Sequence, residues 1–157
     1  VDVVKKSSKY KECKELINWV LESEHVNQYN EIKKHKSFYN ECLNHKKLLK
    51  KLLVTLKKQN KKVVGYGAST KGNVLLQFCG INSKIISNIA EVNKYKFNRY
   101  TPGSKIKIVS EKSIKLKKPD YMLVLPWHFK DYIVKRERNF LKNGGKLIFP
   151  LPEIEIV

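Results

Sequence analysis

The pattern of apolar and polar positions changes character near residue 60. Before that point apolar residues recur every three or four positions, which is typical of amphipathic helices. Two helices are predicted there, over about residues 9–26 and 28–59. The seam positions that we expect to be buried are Ile17, Val20, Leu49, Leu52 and Leu56. Residues 1–60 are therefore predicted to form an N-terminal helical extension whose helices pack against each other and onto the domain that follows.

From residue 61 onward, short apolar runs alternate with helical segments. Strands are predicted at 63–66, 85–90, 106–109, 121–125 and 146–149, with a further edge strand at 154–157. The helices between them are predicted at 70–78, just after residue 110, and at 129–141. Strands that alternate with helices indicate a mostly parallel sheet. The fold class is therefore α/β: a Rossmann-like, mostly parallel sheet with flanking helices over 61–157, preceded by two N-terminal helices.

A glycine loop follows the first predicted strand and opens a helix. In Rossmann units such a loop lets the backbone come close to a diphosphate, which the amides at the helix N-terminus then bind. The spacing here is G-x-G-x-x-x-x-G, which is neither the dinucleotide fingerprint nor the loop of nucleotide hydrolases. The candidate ligand-binding residues are Gly65, Tyr66, Gly67, Ala68, Ser69, Thr70, Lys71 and Gly72.

Three of these residues carry specific expectations. Ser69 and Thr70 are suited to cap the helix, with or without a ligand. Lys71 lies in the first helical turn, where a cation opposes the helix dipole unless an anion binds beside it. It is a candidate phosphate contact, and the alternative is a surface lysine in a lysine-rich chain.

Two further candidates follow later strands. Glu91, 19 residues beyond Gly72, could accept hydrogen bonds from the ribose hydroxyls of a nucleoside, or could be an ordinary exposed acid. Trp127 and His128 follow the strand predicted at 121–125, and Trp127 could stack on a base or cover the core. For Phe129 we favour a core-covering role. Because ligands bind beyond the carboxyl ends of strands in open α/β sheets, all of these should face one crevice.

The net charge of +19 raises nucleic acid as a partner. Of the 33 basic residues only three are arginine, while Asn is frequent and Ala occurs only twice, which is what codon bias in an AT-rich genome produces. The basic residues are also spread along the whole chain. We therefore predict no specific nucleic-acid binding, and any weak association should fall steeply with added salt.

The remaining composition favours an intracellular protein. No apolar run is long enough to span a membrane, and no secretory signal pattern stands at the start. The three scattered cysteines form no zinc-binding pattern. We expect a cytoplasmic protein with no membrane partner and no metal.

Six blocks of the sequence together resemble a known family. They occur at 65–72, 89–97, 100–103, 119–121, 125–129 and 144–152. In this order the blocks resemble the C-terminal domain of the S-adenosylmethionine-dependent sugar C-methyltransferases, which modify nucleotide-linked deoxysugars. The resemblance covers about residues 30–157. It implies a domain that binds the nucleotide-sugar substrate in unusual deoxysugar or glycan biosynthesis.

The resemblance also implies that two parts of such an enzyme lie outside this chain. Such enzymes are similar in carrying an N-terminal zinc module and a central S-adenosylmethionine domain, and nothing at residues 1–60 resembles either. We expect both cofactors in partner domains, joined in cis or in trans, and none bound by this chain. The ligand-facing positions carried over are the glycine loop, Glu91, Trp127 and His128, together with Lys94, Pro102 and Gly103.

Three other functions stay open at this point. A nicotinamide-dependent oxidoreductase domain would use Glu91 and the loop for NAD, but no catalytic Tyr-x-x-x-Lys pair follows. A loop that binds S-adenosylmethionine itself would leave Lys71 without a phosphate to meet. A non-catalytic docking module would bind no small molecule.

Overall fold

The computed structural model describes residues 3–157. The chain forms two compact units, of which the first ends at Cys42 and the second comprises Leu43–Val157. The second unit contains the sheet and the candidate site. It also takes in the C-terminal part of the second helix, which the sequence pattern assigned to the extension.

The first unit contains helix α1, Lys14–Val26, and the beginning of α2, Ile32–Lys58. No residue of α1 is buried. Ile17 is 47% exposed and Val20 is 37% exposed, so the prediction that both are buried is wrong. Apolar periodicity shows which residues share a helix face, but it does not show that another layer covers that face.

The second unit follows the predicted alternation of strands and helices. The strands are β1 Val63–Tyr66, β2 Asn88–Glu91, β3 Lys107–Ser110, β4 Tyr121–Val124, β5 Lys146–Phe149 and β6 Glu155–Ile156. After α2, the helices are α3 Thr70–Cys79, α4 Glu111–Leu116, α5 Lys130–Arg136 and α6 Arg138–Lys142. Short 3-10 turns occur at Lys94–Lys96 and Trp127–Phe129.

The strands form one sheet in the order β3-β2-β1-β4-β5-β6. The first five strands are parallel, and β6 pairs with β5 in the antiparallel direction. The predicted α/β fold with a mostly parallel sheet is confirmed. The order reverses at β1, so the crevice at the carboxyl ends of β1 and its two neighbours is the place where such sheets bind ligands.

Successive strand residues point to opposite faces of the sheet and form two cores. On one face Val63 and its neighbours pack with Leu49, Leu53 and Leu56 of α2 and with α3. On the other face Val64 and its neighbours pack with α4 and α5. Leu49 and Leu56 are buried as predicted, whereas Leu52 is only partly buried and Leu53 takes the central position.

Two elements differ from the pattern-based prediction. The strand expected at 85–90 begins only at Asn88, because the carbonyl of Asn82 accepts the amides of Ile85 and Ile86 and holds them in a turn. The single helix expected at 129–141 is two helices that meet at Glu137. That residue has a non-helical backbone (φ −94°, ψ 19°) and a buried side chain.

Across residues 3–157, no helix combines the length and the apolar character needed to cross a membrane.

Candidate functional site

The candidate site lies where β1, β2 and β4 end. The glycine loop leaves β1 and enters α3, whose N-cap is Ser69: its Oγ accepts the amide of Gly72 at 3.0 Å. Gly80 closes the same helix in the left-handed conformation, as predicted. The loop is therefore a strand-to-helix turn of the expected kind.

The glycines of the loop serve packing as well as the turn. Gly67 has φ +77°, and a Cβ there would lie 2.8 Å from Pro126 Cδ. A Cβ at Gly72 would lie 2.4 Å from Leu125 Cβ, so this glycine lets α3 approach the segment after β4. Gly72 thus provides the close helix-strand packing of a third Rossmann glycine, two positions later than in the usual fingerprint.

Glu91, at the end of β2, holds the glycine loop from inside the protein. Its Oε2 accepts the amide of Ala68 at 3.0 Å, and its Oε1 accepts the amides of Val92 at 2.8 Å and Asn93 at 3.0 Å. Lys96 Nζ lies 3.4 Å from the same Oε2 and donates to the Ala68 carbonyl at 2.9 Å. With four partners the carboxylate has used its main acceptor sites.

The environment of Glu91 favours its charged form. Burial by itself would raise the pKa of Glu91. The amides of Asn93 and Val92, the charge of Lys96 and the amide of Ala68 together outweigh burial and hold that pKa below its usual value. Neither of the sequence-based interpretations, a ribose contact or an exposed acid, describes this role as a loop clamp.

A cavity of about 250 Å³ opens between the glycine loop and α5. Of the predicted site residues, five line it: Tyr66, Gly67, Ala68, Ser69 and Glu91. The cavity is also lined by residues that the sequence analysis did not single out, among them Lys96, Glu111, Tyr132 and Arg136.

A partly buried network of charged side chains stands behind the wall opposite the loop, and two of its members, Glu111 and Arg136, line the cavity. Glu137 is 1% exposed; it accepts the Tyr66 hydroxyl at 2.8 Å and pairs with Lys115 at 2.8 Å. Glu111 pairs with Lys115 at 2.6 Å and with Arg136 at 2.7 Å, and Arg136 also donates to the Tyr66 hydroxyl. Two carboxylates and two cations thus form one connected, charge-balanced network.

The network keeps its tyrosine protonated. Burial raises the pKa of the Tyr66 hydroxyl far above its ordinary value, and the hydrogen bond to Glu137 raises it further. For Lys115 burial works against the charged form, but hydrogen bonds to Glu111 and Glu137 outweigh it and raise the pKa. The cations of this wall therefore stay charged and its phenol stays neutral.

Sequence reasoning missed this network, although one signal was present. Ile133, Glu137 and Phe140 are spaced four and three residues apart, so Glu137 stands on the apolar stripe of its helical segment. A carboxylate at such a position is rarely buried unless it is paired. Its partners come from β1 and α4, so no local pattern identifies them.

The aromatic residues after β4 differ from the prediction in which of them is exposed to the cavity. Trp127 is partly buried and packs against both cores. Phe129 is 58% exposed and lines the cavity, so its expected core-covering role is wrong. His128 is exposed and contacts Phe129 in a tilted arrangement, with ring centroids 4.3 Å apart and an interplanar angle of 43°. The exposed ring available to a ligand here is Phe129, together with Tyr132 of α5.

The remaining predicted residues lie outside the cavity wall. Thr70 and Lys71 form the exposed first turn of α3, and Lys94 is exposed in a 3-10 turn. Pro102 and Gly103 precede β3, at the amino edge of the sheet, where a Cβ at Gly103 would lie 2.6 Å from Gln77 Oε1. Their binding roles stay predictions, as do those of Gly65, Gly72, Trp127 and His128, which also lie outside the cavity wall.

Within residues 3–157, no group of three or more His, Cys, Asp or Glu side chains is placed to hold a metal ion.

The sheet order, the glycine turn and the cavity at the carboxyl edge define a Rossmann-like domain with a candidate ligand site. Residues 1–152 match the family described as the C-methyltransferase C-terminal domain, and the chain belongs to that family. It is 39% identical over 97 residues to the C-methyltransferase NovU of Streptomyces niveus. The aligned part is 62% of this chain and 23% of that relative. The chain thus has a methyltransferase-related role.

Proposed function

We propose that this domain binds a nucleotide-linked sugar and presents it to an S-adenosylmethionine-dependent methyltransferase domain, joined in cis or in trans. The product is a methylated sugar for unusual deoxysugar or glycan biosynthesis. The observation that carries the proposal is a cavity at the carboxyl edge of the sheet, lined by the glycine loop, in a chain of this family. S-adenosylmethionine and zinc are assigned to the partner domains, and no residue here takes a catalytic role.

The first turn of α3 offers a place for the diphosphate. Within the part of the chain that the structure describes, the amides of Thr70 and Lys71 meet no backbone or side-chain acceptor. Amides at a helix N-terminus, with the positive end of the dipole behind them, favour an anion. The Lys71 side chain adds a charge at the same turn.

The clamp on Glu91 argues against the nicotinamide alternative. In dinucleotide-binding domains the acid at this position accepts the ribose hydroxyls. Here three backbone amides and Lys96 occupy the carboxylate. Binding NAD in the usual way would require the loop to give up these contacts.

Calorimetric titration of the chain with UDP-sugars, dTDP-sugars, NAD and S-adenosylmethionine tests the proposal. We expect the nucleotide sugars to bind and the other two ligands not to bind. Saturable binding of NAD or S-adenosylmethionine alone would replace the proposal, and binding of none of the four would favour a docking module.

Lys71→Ala should weaken nucleotide-sugar binding and leave stability within about 0.5 kcal/mol, because the side chain is exposed. A charge-assisted hydrogen bond to phosphate is worth about 1.5–3 kcal/mol, or roughly a tenfold to hundredfold change in dissociation constant. Parallel titrations and melting curves separate the two effects. Lys112→Ala, at another exposed lysine near a helix start, is the matched control. Equal affinity in all three proteins would make Lys71 an ordinary surface residue.

A further inference from the structure

We propose that the cavity receives an uncharged, hydroxyl-bearing ring of the ligand, seated against Glu111 and Arg136, while the diphosphate stays outside it. This inference rests on the proposed function. It goes further by assigning one part of the ligand to the cavity and by naming the side chains that select it.

The charges of the cavity wall are balanced. Its charged residues are Glu91, Lys96, Glu111 and Arg136, two acids and two bases. Each acid is paired with a cation: Glu91 with Lys96 at 3.4 Å, and Glu111 with Arg136 at 2.7 Å. A diphosphate would bring negative charge into a site with no surplus of positive charge, which is costly when the site is partly buried.

The glycine loop does not supply the missing positive charge. Ala68 lines the cavity, but its amide donates to Glu91. The Gly67 amide donates to the Ala90 carbonyl and the Ser69 amide to the Gly67 carbonyl. The free amides of Thr70 and Lys71 belong to residues outside the cavity wall.

The hydrogen-bonding capacity left in the cavity suits hydroxyl groups. A guanidinium carries five N–H donors, and Arg136 uses one on the Tyr66 hydroxyl and one on Glu111. Glu111 accepts one bond on each oxygen, from Lys115 and from Arg136, and keeps acceptor sites on both. Donors and acceptors side by side match hydroxyls, which both donate and accept, whereas a phosphate only accepts.

The shape and apolar lining fit a ring. Phe129 and Tyr132 are 58% and 66% exposed and both line the cavity. Their rings offer flat apolar surfaces that can cover the C–H face of a sugar. The volume of about 250 Å³ lies below the roughly 300–1,000 Å³ of sites that enclose whole small-molecule ligands. One ring of a nucleotide sugar therefore fits the cavity better than the complete molecule.

Glu111→Gln tests the proposal because the two possible occupants of the cavity predict opposite changes in nucleotide-sugar affinity. If a hydroxyl-bearing ring contacts Glu111, losing the charged acceptor weakens nucleotide-sugar binding about tenfold or more. If a diphosphate occupies the cavity, removing a negative charge there strengthens binding. Calorimetric titrations of wild type and variant with a UDP-sugar and a dTDP-sugar distinguish the two, and tighter or unchanged binding overturns the proposal.

Tyr132→Ala provides a second variant that spares the ion-pair network. The side chain is largely exposed, so its loss should leave melting unchanged and weaken nucleotide-sugar binding severalfold. Tyr95→Ala, at a tyrosine that is 87% exposed and outside the cavity wall, is the matched control and should bind like wild type. Equal nucleotide-sugar affinities for Tyr132→Ala and Tyr95→Ala would contradict the proposed position of the ring in the cavity.

Sugar-free nucleoside diphosphates and inorganic pyrophosphate complete the experiment. If the ring in the cavity is the hexose, Glu111→Gln weakens binding of the nucleotide sugar but not of the sugar-free nucleoside diphosphate. If the ring belongs to the nucleoside, Glu111→Gln weakens binding of both. Either result supports the proposal. Pyrophosphate binding that is lost in Arg136→Gln but kept in Lys71→Ala would place the anion in the cavity and overturn it. Failure of wild type to bind any nucleotide sugar would instead refute the proposed function.

Discussion

The two walls of the cavity differ in how far apart their residues lie in the sequence. The loop wall is one continuous segment, the glycine loop, closed by Glu91 from the next strand along the chain. The opposite wall is assembled from β1, α4 and the junction of α5 with α6 around Glu137. Both bury a carboxylate, but Glu91 is held mainly by backbone amides and Glu137 entirely by side chains. A carboxylate held by amides depends on local geometry, whereas one held by side chains depends on the packing of distant elements.

Glu137→Ala should have the largest effect on stability. It leaves Lys115 without its buried partner and the Tyr66 hydroxyl without its acceptor. Hydrogen bonds to a charged group are worth about 1.5–3 kcal/mol each, so losing both should cost about 3 kcal/mol or more. Urea unfolding of the variant should show that loss, while Glu153→Ala, at an exposed acid, should change little. A loss below about 0.5 kcal/mol, typical of surface sites, would show that the side-chain wall contributes no stability.

Glu91→Gln should have the next largest effect, and the effect should depend on pH. Hydrogen bonds to a charged group are worth about 1.5–3 kcal/mol, and the amide keeps only part of them. Because the folded pKa of Glu91 is lowered, its contribution is present above the unfolded value of about 4.3 and is lost as pH falls through the folded pKa.

Unfolding free energies measured from pH 7 to pH 3 provide the test of the Glu91 prediction. The gap between wild type and Glu91→Gln should be widest near neutral pH and should narrow in acid. A gap that stays constant over this range would mean that the carboxylate charge does not stabilise the loop.

Gly72→Ala should have the smallest of the three effects. Alanine gains up to about 1 kcal/mol of helix propensity, but its Cβ would lie 2.4 Å from Leu125 Cβ. Overpacking a tight contact costs about 1–3 kcal/mol, so we expect a net loss in the thermal unfolding of the variant. Val74→Ala, on the exposed side of the same helix, is the control. A stabilised Gly72→Ala protein would show that α3 can move away from the strand.

Local sequence determined much of the sheet unit. Val63–Tyr66 and Lys146–Phe149 have the bounds that the pattern predicts, and Ser69 and Gly80 cap α3 as expected. Each of these features depends on residues that are close in the chain, such as a strand before a glycine turn. The same local information identified the loop and Glu91 as parts of one site, because parallel strands end at the same edge.

Only the tertiary structure decided which polar groups remain free for a ligand. Ala68 and Glu91 satisfy each other across the strands, and Arg136 reaches the cavity because Glu111 and Tyr66 hold it there. Exposure was decided in the same way, since Phe129 faces the cavity and Ile17 lies at the surface although both belong to apolar patterns. Periodicity specifies the direction of a side chain relative to its own element, while burial and pairing depend on which other elements pack against it.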